Sequence, residues 1–122
     1  MDTKDWSGLA AVFAADAEID MTGEGSASLE PLTEFLTNLQ ASVGAVTTVH
    51  HGHMPEIELT SPTTATGVWA MEDMLWWPEG SPLRHLHGYG HYHETYRKEP
   101  DRGWCILSMR LTRLRRDIEF AS

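Results

Sequence analysis

The sequence predicts one α+β domain in which N-terminal helices wrap a curved antiparallel sheet into a cone-shaped pocket. Three observations carry that expectation. The chain has 122 residues, the usual size of a single domain with its own core. Apolar residues recur at helical spacing only before Gly44. From Val46 onward the composition turns to Thr, Val, Trp and Tyr between Pro- and Gly-containing turns, and this strand-rich part carries all 7 histidines.

Asp5 is placed to cap a short first helix with Trp6, Leu9, Ala10 and Phe13 on one face. Ala17, Ile19 and Met21 then alternate with Glu18 and Asp20, the period of a half-buried strand, before the flexible run Gly23-Glu24-Gly25-Ser26. Ser28 is placed to cap a second helix with Pro31 in its first turn. Leu29, Leu32, Phe35, Leu36, Leu39 and Val43 give that helix one apolar stripe, and Gly44 ends it. Strands are expected from Val46 to His51, Thr63 to Trp77, about Arg84 to Arg97, and Trp104 to Arg115. Turns at Pro78 to Pro82 and Glu99 to Gly103 join the last three. Strands this long must curve, and helices across the open side of a curved sheet enclose a pocket suited to an apolar ligand.

A formal charge of −9 argues against sequence-independent binding of nucleic acid, which depends on clustered Lys and Arg; the basic stretch Arg110 to Arg116 is short. No apolar run approaches the roughly 20 residues needed to span a bilayer, and the acidic, polar start MDTKDW is unlike a secretory signal. A cytoplasmic protein without membrane contact is expected. Cys105 is the single cysteine, in an apolar segment, and reads as a core residue.

Three segments resemble the SnoaL-like branch of the nuclear-transport-factor-2-like (cystatin-like α+β) superfamily. They are Asp2-Thr3-Lys4-Asp5-Trp6 leading through Phe13 to Asp16-Ala17-Glu18-Ile19-Asp20; the strand ending Thr48-Val49-His50; and Gly88 to Glu94 continuing through Tyr96 and Gly103-Trp104 to Ile106. The pattern is most similar to scytalone dehydratase, bile-acid dehydratases and hexachlorocyclohexane dehydrochlorinase. That resemblance implies one SnoaL-like domain over residues 1–122, a homodimer, and a catalytic Asp-His dyad that falls on Asp2 and His50. It also implies that most of a first helix, which in these families precedes the matched aspartate, is missing here, so that the chain is a shortened form, the pocket is more open, or a partner subunit covers it. Met1 and Met21 stand where scytalone dehydratase has substrate-orienting tyrosines.

A histidine in an apolar cone suits proton abstraction at neutral pH, with the aspartate fixing its tautomer and stabilising the imidazolium. His51, which points to the opposite face of a strand, and His53 are the rivals of His50. The strand from His87 to Tyr96 has two faces, His87, Tyr89, His91 and His93 on one and Gly90, Tyr92 and Glu94 on the other, and alternation does not say which is inside. The resemblance to the dehydratases implies that Tyr92 and Glu94 line the pocket, with Gly90 leaving room for ligand. Asp73, Trp69, Met21 and Arg110 complete the expected substrate-binding set, Arg110 together with Ser108 and Thr112 as a candidate for binding a carboxylate or enolate. No metal and no cofactor are expected: His85-x-His87 and His91-x-His93, with Glu94 or Glu99 to add an oxygen, resemble only half of a cupin motif. The resemblance implies a cofactor-independent lyase, dehydratase or isomerase acting on a small hydrophobic cyclic metabolite. The alternative is a non-catalytic binding or dimeric accessory domain of the same fold.

Overall fold

The computed structural model describes residues 1–122. The elements are α1 (Trp6–Ala11), β1 (Phe13–Asp20), a single 3-10 turn (Thr22–Glu24), β2 (Glu30–Pro31), α2 (Leu32–Val43), β3 (Thr47–Ser61), β4 (Thr64–Trp76), β5 (Leu83–Glu99) and β6 (Gly103–Phe120). They form one six-stranded sheet in the order β2-β1-β6-β5-β4-β3, covered on one face by the helices. This is the expected α+β architecture. All pairings are antiparallel except β1 with β6, which run parallel, so the first and last strands meet near the middle of the sheet.

Asp5 caps α1 as expected, its carboxylate accepting from the Gly8 backbone N–H at 3.0 Å. The helix stops at Ala11, and Phe13 opens β1 instead of closing the helical face, with its ring edge-on to Phe35 at 6.2 Å. The second helix starts three residues later than Ser28 would place it. Glu30 and Pro31 pair with Ile19 and Glu18, and a residue before proline is held extended, so the helical turn begins only at Leu32. From there Leu32, Phe35 and Val43 are buried, and Gly44 closes the helix. Phe13, Ala17, Ile19, Leu32 and Phe35 make the core between α2 and β1.

β3 runs ten residues further than expected, because it pairs with β4 along its whole length. A register shift between His53 and Glu56, with Met54 at φ 42°, breaks it into two parts. Its other edge pairs with no strand. Bulges also interrupt the β5–β6 ladder between Thr95 and Tyr96 and between Tyr89 and Gly90. Such irregularities bend long strands and increase their twist, which is how this sheet curls around the helices. Cys105 is buried and free.

Candidate functional site

The concave face of the sheet, α1 and α2 enclose a cavity of about 470 Å³. Leu9, Phe35 and Leu39 from the helices, Phe13 from β1, and Ile106, Met109 and Leu111 from β6 give it apolar walls. Its polar groups include His50, Asp73, Tyr92, Glu94, Arg113 and Glu30 on the sheet, Glu24 in the 3-10 turn and Asn38 on α2. A few convergent polar groups in an otherwise apolar cavity is the usual form of a small-molecule site.

His50 enters through the register of β3, where it sits directly opposite Asp73 of β4. Asp2 reaches it from the N-terminal segment. One carboxylate oxygen lies 2.6 Å from His50 Nδ1, and the other accepts the His50 backbone N–H at 2.8 Å. Thr48 donates its hydroxyl to Asp2 at 2.9 Å and accepts from Lys4 Nζ at 3.2 Å. The terminal aspartate is thus fixed by three donors on one strand. Partial burial works against its charge, but the bonds from His50 and Thr48 outweigh it and hold the carboxyl below the ordinary range. An ionised carboxylate can only accept, so Nδ1 carries the proton and Nε2 is left as the basic nitrogen. His50 Nε2 stands 3.9 Å from Asp73 Oδ2.

Asp73 is nearly inaccessible, its side chain 5% exposed, and is matched by Arg113 of β6. The guanidinium takes Asp73 in a two-bond fork at 2.6 and 2.9 Å and turns its other edge to Glu24 at 2.8 and 3.0 Å. Arg116 adds a second cation on Glu24. Burial pulls the Arg113 pKa down, yet the two carboxylates raise it on balance, and the group stays charged. The space for this pair exists because Gly88 lies opposite Asp73: a Cβ there would meet Arg113 Nη1 and Asp73 Oδ1. Gly90 has a different task from the one expected. Its missing side chain admits the Thr112 carbonyl and Arg113 Cα of β6 at the bulge, and leaves no room for ligand.

Tyr92 and Glu94 line the cavity, on the same face of β5. Burial, then the Asp73 charge, drives the Tyr92 hydroxyl well above its ordinary pKa, so it is a donor at neutral pH. Burial likewise raises Glu94, partly offset by the Tyr96 hydroxyl donated to it at 2.8 Å. Met21 also faces the cavity.

Two expected residues do not. Trp69 donates Nε1 to the Tyr96 hydroxyl at 2.9 Å, so it stands behind Glu94 and outside the cavity. Arg110 is exposed, in a separate groove with Glu18, Asp20, His93 and Ser108. On β6 the inward residues are Met109, Leu111 and Arg113, and alternation sends Ser108, Arg110 and Thr112 outward. Arg113 is therefore the cavity's cation, and its parity with Met109 and Leu111 was the available signal. Glu24 carries no such signal, since it lies in an aperiodic turn. The basic stretch that contains Arg113 is largely paired with acids, Arg115 with Asp117 and Arg116 with Glu24.

Residues 1–110 match the SnoaL-like domain family. Among solved structures the chain is similar to a protein from Kribbella flavida (TM-score 0.83, 24% identity, 95% of this chain and 82% of that one). It is also similar to a scytalone dehydratase-like protein from Novosphingobium aromaticivorans (0.81, 20%, 99% and 78%). A third is a type 3 hexachlorocyclohexane dehydrochlorinase from Novosphingobium barchaimii (0.77, 19%, 97% and 79%). At these identities the likeness is one of fold, and it extends over nearly the whole sheet and both helices. With the match covering 110 of 122 residues, the chain belongs to the SnoaL-like domain family, within the nuclear-transport-factor-2-like fold.

Proposed function

We propose that the cavity binds a small, mostly apolar cyclic molecule and that His50, backed by Asp2, takes a proton from it in a cofactor-independent elimination or isomerisation. The observation that carries this reading is the 2.6 Å contact between Asp2 and His50 Nδ1, which directs the basic Nε2 to the cavity side. In the elimination, Nε2 accepts a proton from a carbon acidified by a neighbouring carbonyl or leaving group. The C–H electron pair becomes the new double bond, and water or halide departs from the adjacent carbon. Asp2 stabilises the imidazolium while it lasts. The Tyr92 hydroxyl, held protonated by its burial, is suited to donate to the developing oxyanion or leaving group. An isomerase would use the same base and return the proton to another carbon. The fold's dehydratase and dehydrochlorinase neighbours support this class of chemistry.

A homodimer and a cytoplasmic location belong to the same reading; no helix here is long and apolar enough to cross a membrane. The test is a screen of cyclic hydroxy-ketones and halocarbons, followed by His50→Ala on whatever substrate turns over. Loss of 10²- to 10⁴-fold in kcat, with ligand binding and the melting temperature retained, is the expected result. Full turnover by the variant would sink the dyad. Binding by the wild type without turnover of any substrate would favour the accessory-domain alternative.

A further inference from the structure

The opposite, convex face of the sheet holds a second polar cluster. Its centre is Glu72 of β4. His51 sits directly opposite Glu72 in the β3–β4 register, and His53 follows on the same face of β3. One Glu72 oxygen, Oε1, lies 3.5 Å from His51 Nδ1 and 3.5 Å from His53 Nε2, and all three atoms fall within 4.8 Å of one another. The other oxygen, Oε2, is bonded to His87 Nε2 of β5 at 3.0 Å, and His87 Nδ1 is in turn met by the Tyr89 hydroxyl at 3.3 Å. Tyr89 also stacks on the His87 ring at 4.5 Å. No Lys or Arg pairs with Glu72, whereas Asp73 beside it has Arg113.

We propose that His51, His53 and Glu72 form a binding site for a divalent first-row transition metal of the Zn²⁺ type, with His87 and Tyr89 orienting the carboxylate. The spacing fits. A tetrahedral ion with bonds of about 2.0–2.1 Å keeps its ligand atoms about 3.3–3.4 Å apart, close to the 3.5 Å found from Glu72 Oε1 to each histidine. Two imidazoles and one carboxylate suit zinc, copper or nickel, and are a poor match for magnesium or calcium, which take oxygen ligands. The hydrogen bond from His87 to the non-ligating oxygen is the outer support that bound metals use to fix a ligand's direction. His51 and His53 remain about half exposed, so the ion has a path in and a fourth place open to water. The two histidine pairs considered from sequence do not assemble: Glu94 faces the cavity, His85 is bonded to the Leu75 carbonyl, and Glu99 to Arg97.

A metal here would tie the edge strand β3 to β4, next in sequence to His50 but on the far side of the sheet. It would act on the strand's rigidity and take no part in the chemistry of the cavity. The experiment is calorimetric titration of the untagged full chain with ZnCl₂, and with MgCl₂ as comparison, alongside hydrogen exchange of the β3 amides. One Zn²⁺ per chain, no Mg²⁺ binding, and slower exchange around His51 to His53 on Zn²⁺ addition are expected. Glu72→Gln and His53→Ala should each lower Zn²⁺ affinity tenfold or more, and His87→Ala about tenfold by removing the orienting bond. His91→Ala, on the same face outside the cluster, should leave affinity unchanged. Circular dichroism confirms that each variant is folded. Absence of Zn²⁺ binding, binding undiminished in Glu72→Gln, or equal loss in His91→Ala would overturn the site. None of these readouts depends on a substrate, so the result is independent of the dyad.

Discussion

Two neighbouring residues of β4, Glu72 and Asp73, carry the same charge on opposite faces of one sheet, and each stands across from a histidine of β3. Inside, Asp73 is buried and answered by a full guanidinium fork, with His50 alongside. Outside, Glu72 is 29% exposed and surrounded by three imidazoles and no permanent cation. A buried carboxylate needs a permanent, hydrogen-bonded counter-charge; a partly solvated one tolerates neutral partners. The inner arrangement is therefore closed on itself and structural in part. The outer one is left with lone pairs to offer.

Breaking the inner arrangement should have the largest effect. Arg113→Met leaves Asp73 and Glu24 without their shared cation and should cost about 3–5 kcal/mol by urea unfolding. Adding Asp73→Asn to that variant should restore much of the loss. A single-variant cost below about 1 kcal/mol would mean that water already serves Asp73. Gly88→Ala tests the space made for the pair: a methyl group driven against Arg113 and Asp73 should cost about 1–3 kcal/mol.

Glu94 offers a smaller, pH-dependent contrast. Its folded-state pKa lies above the unfolded one because it is buried. Between those two values the native state binds more protons than the unfolded chain, so stability falls as pH rises through that window. Glu94→Gln keeps the acceptor for Tyr96 and has no proton to lose. It should match the wild type at about pH 4 and become the more stable protein toward about pH 7. A gap that is constant with pH would contradict the buried assignment. On the outer face, Glu72→Gln in metal-free buffer should leave the melting temperature close to that of the wild type, as substitutions at surface positions usually do.

Local periodicity made α2, the three long strands and the two faces of β5 legible, because each depends on residues two to four apart. The contact of Asp2 with His50 was legible only through family resemblance: nothing in the spacing of the two residues says that a terminal segment will cross to β3. The start of α2 was misplaced because Glu30 and Pro31 answer to a distant strand, β1, and not to the local capping pattern at Ser28. The face of β6 that holds Ser108, Arg110 and Thr112 turns away from the cavity, so Arg110 does not line it. The apolar residues Met109 and Leu111 share the other parity. The convergence of His51, His53 and Glu72 could not be read at all without the β3–β4 register, since two of them come from one strand and the third from the next.

The parallel pairing of β1 with β6 also has a kinetic side. Phe13 finds its strand partner at Ile106, and Glu24 and Asp73 share an arginine at position 113, so the closing steps of this domain join segments made early and late in synthesis. Contacts of such long sequence separation form slowly, because a large loop must close before they contribute. The β3–β4 hairpin, with adjacent registers and a two-residue turn, has no such delay. Nascent chains should thus pass through a stage in which the His50 strand is paired while Asp73 still lacks its cation. Until β6 docks, that carboxylate keeps the concave face wet.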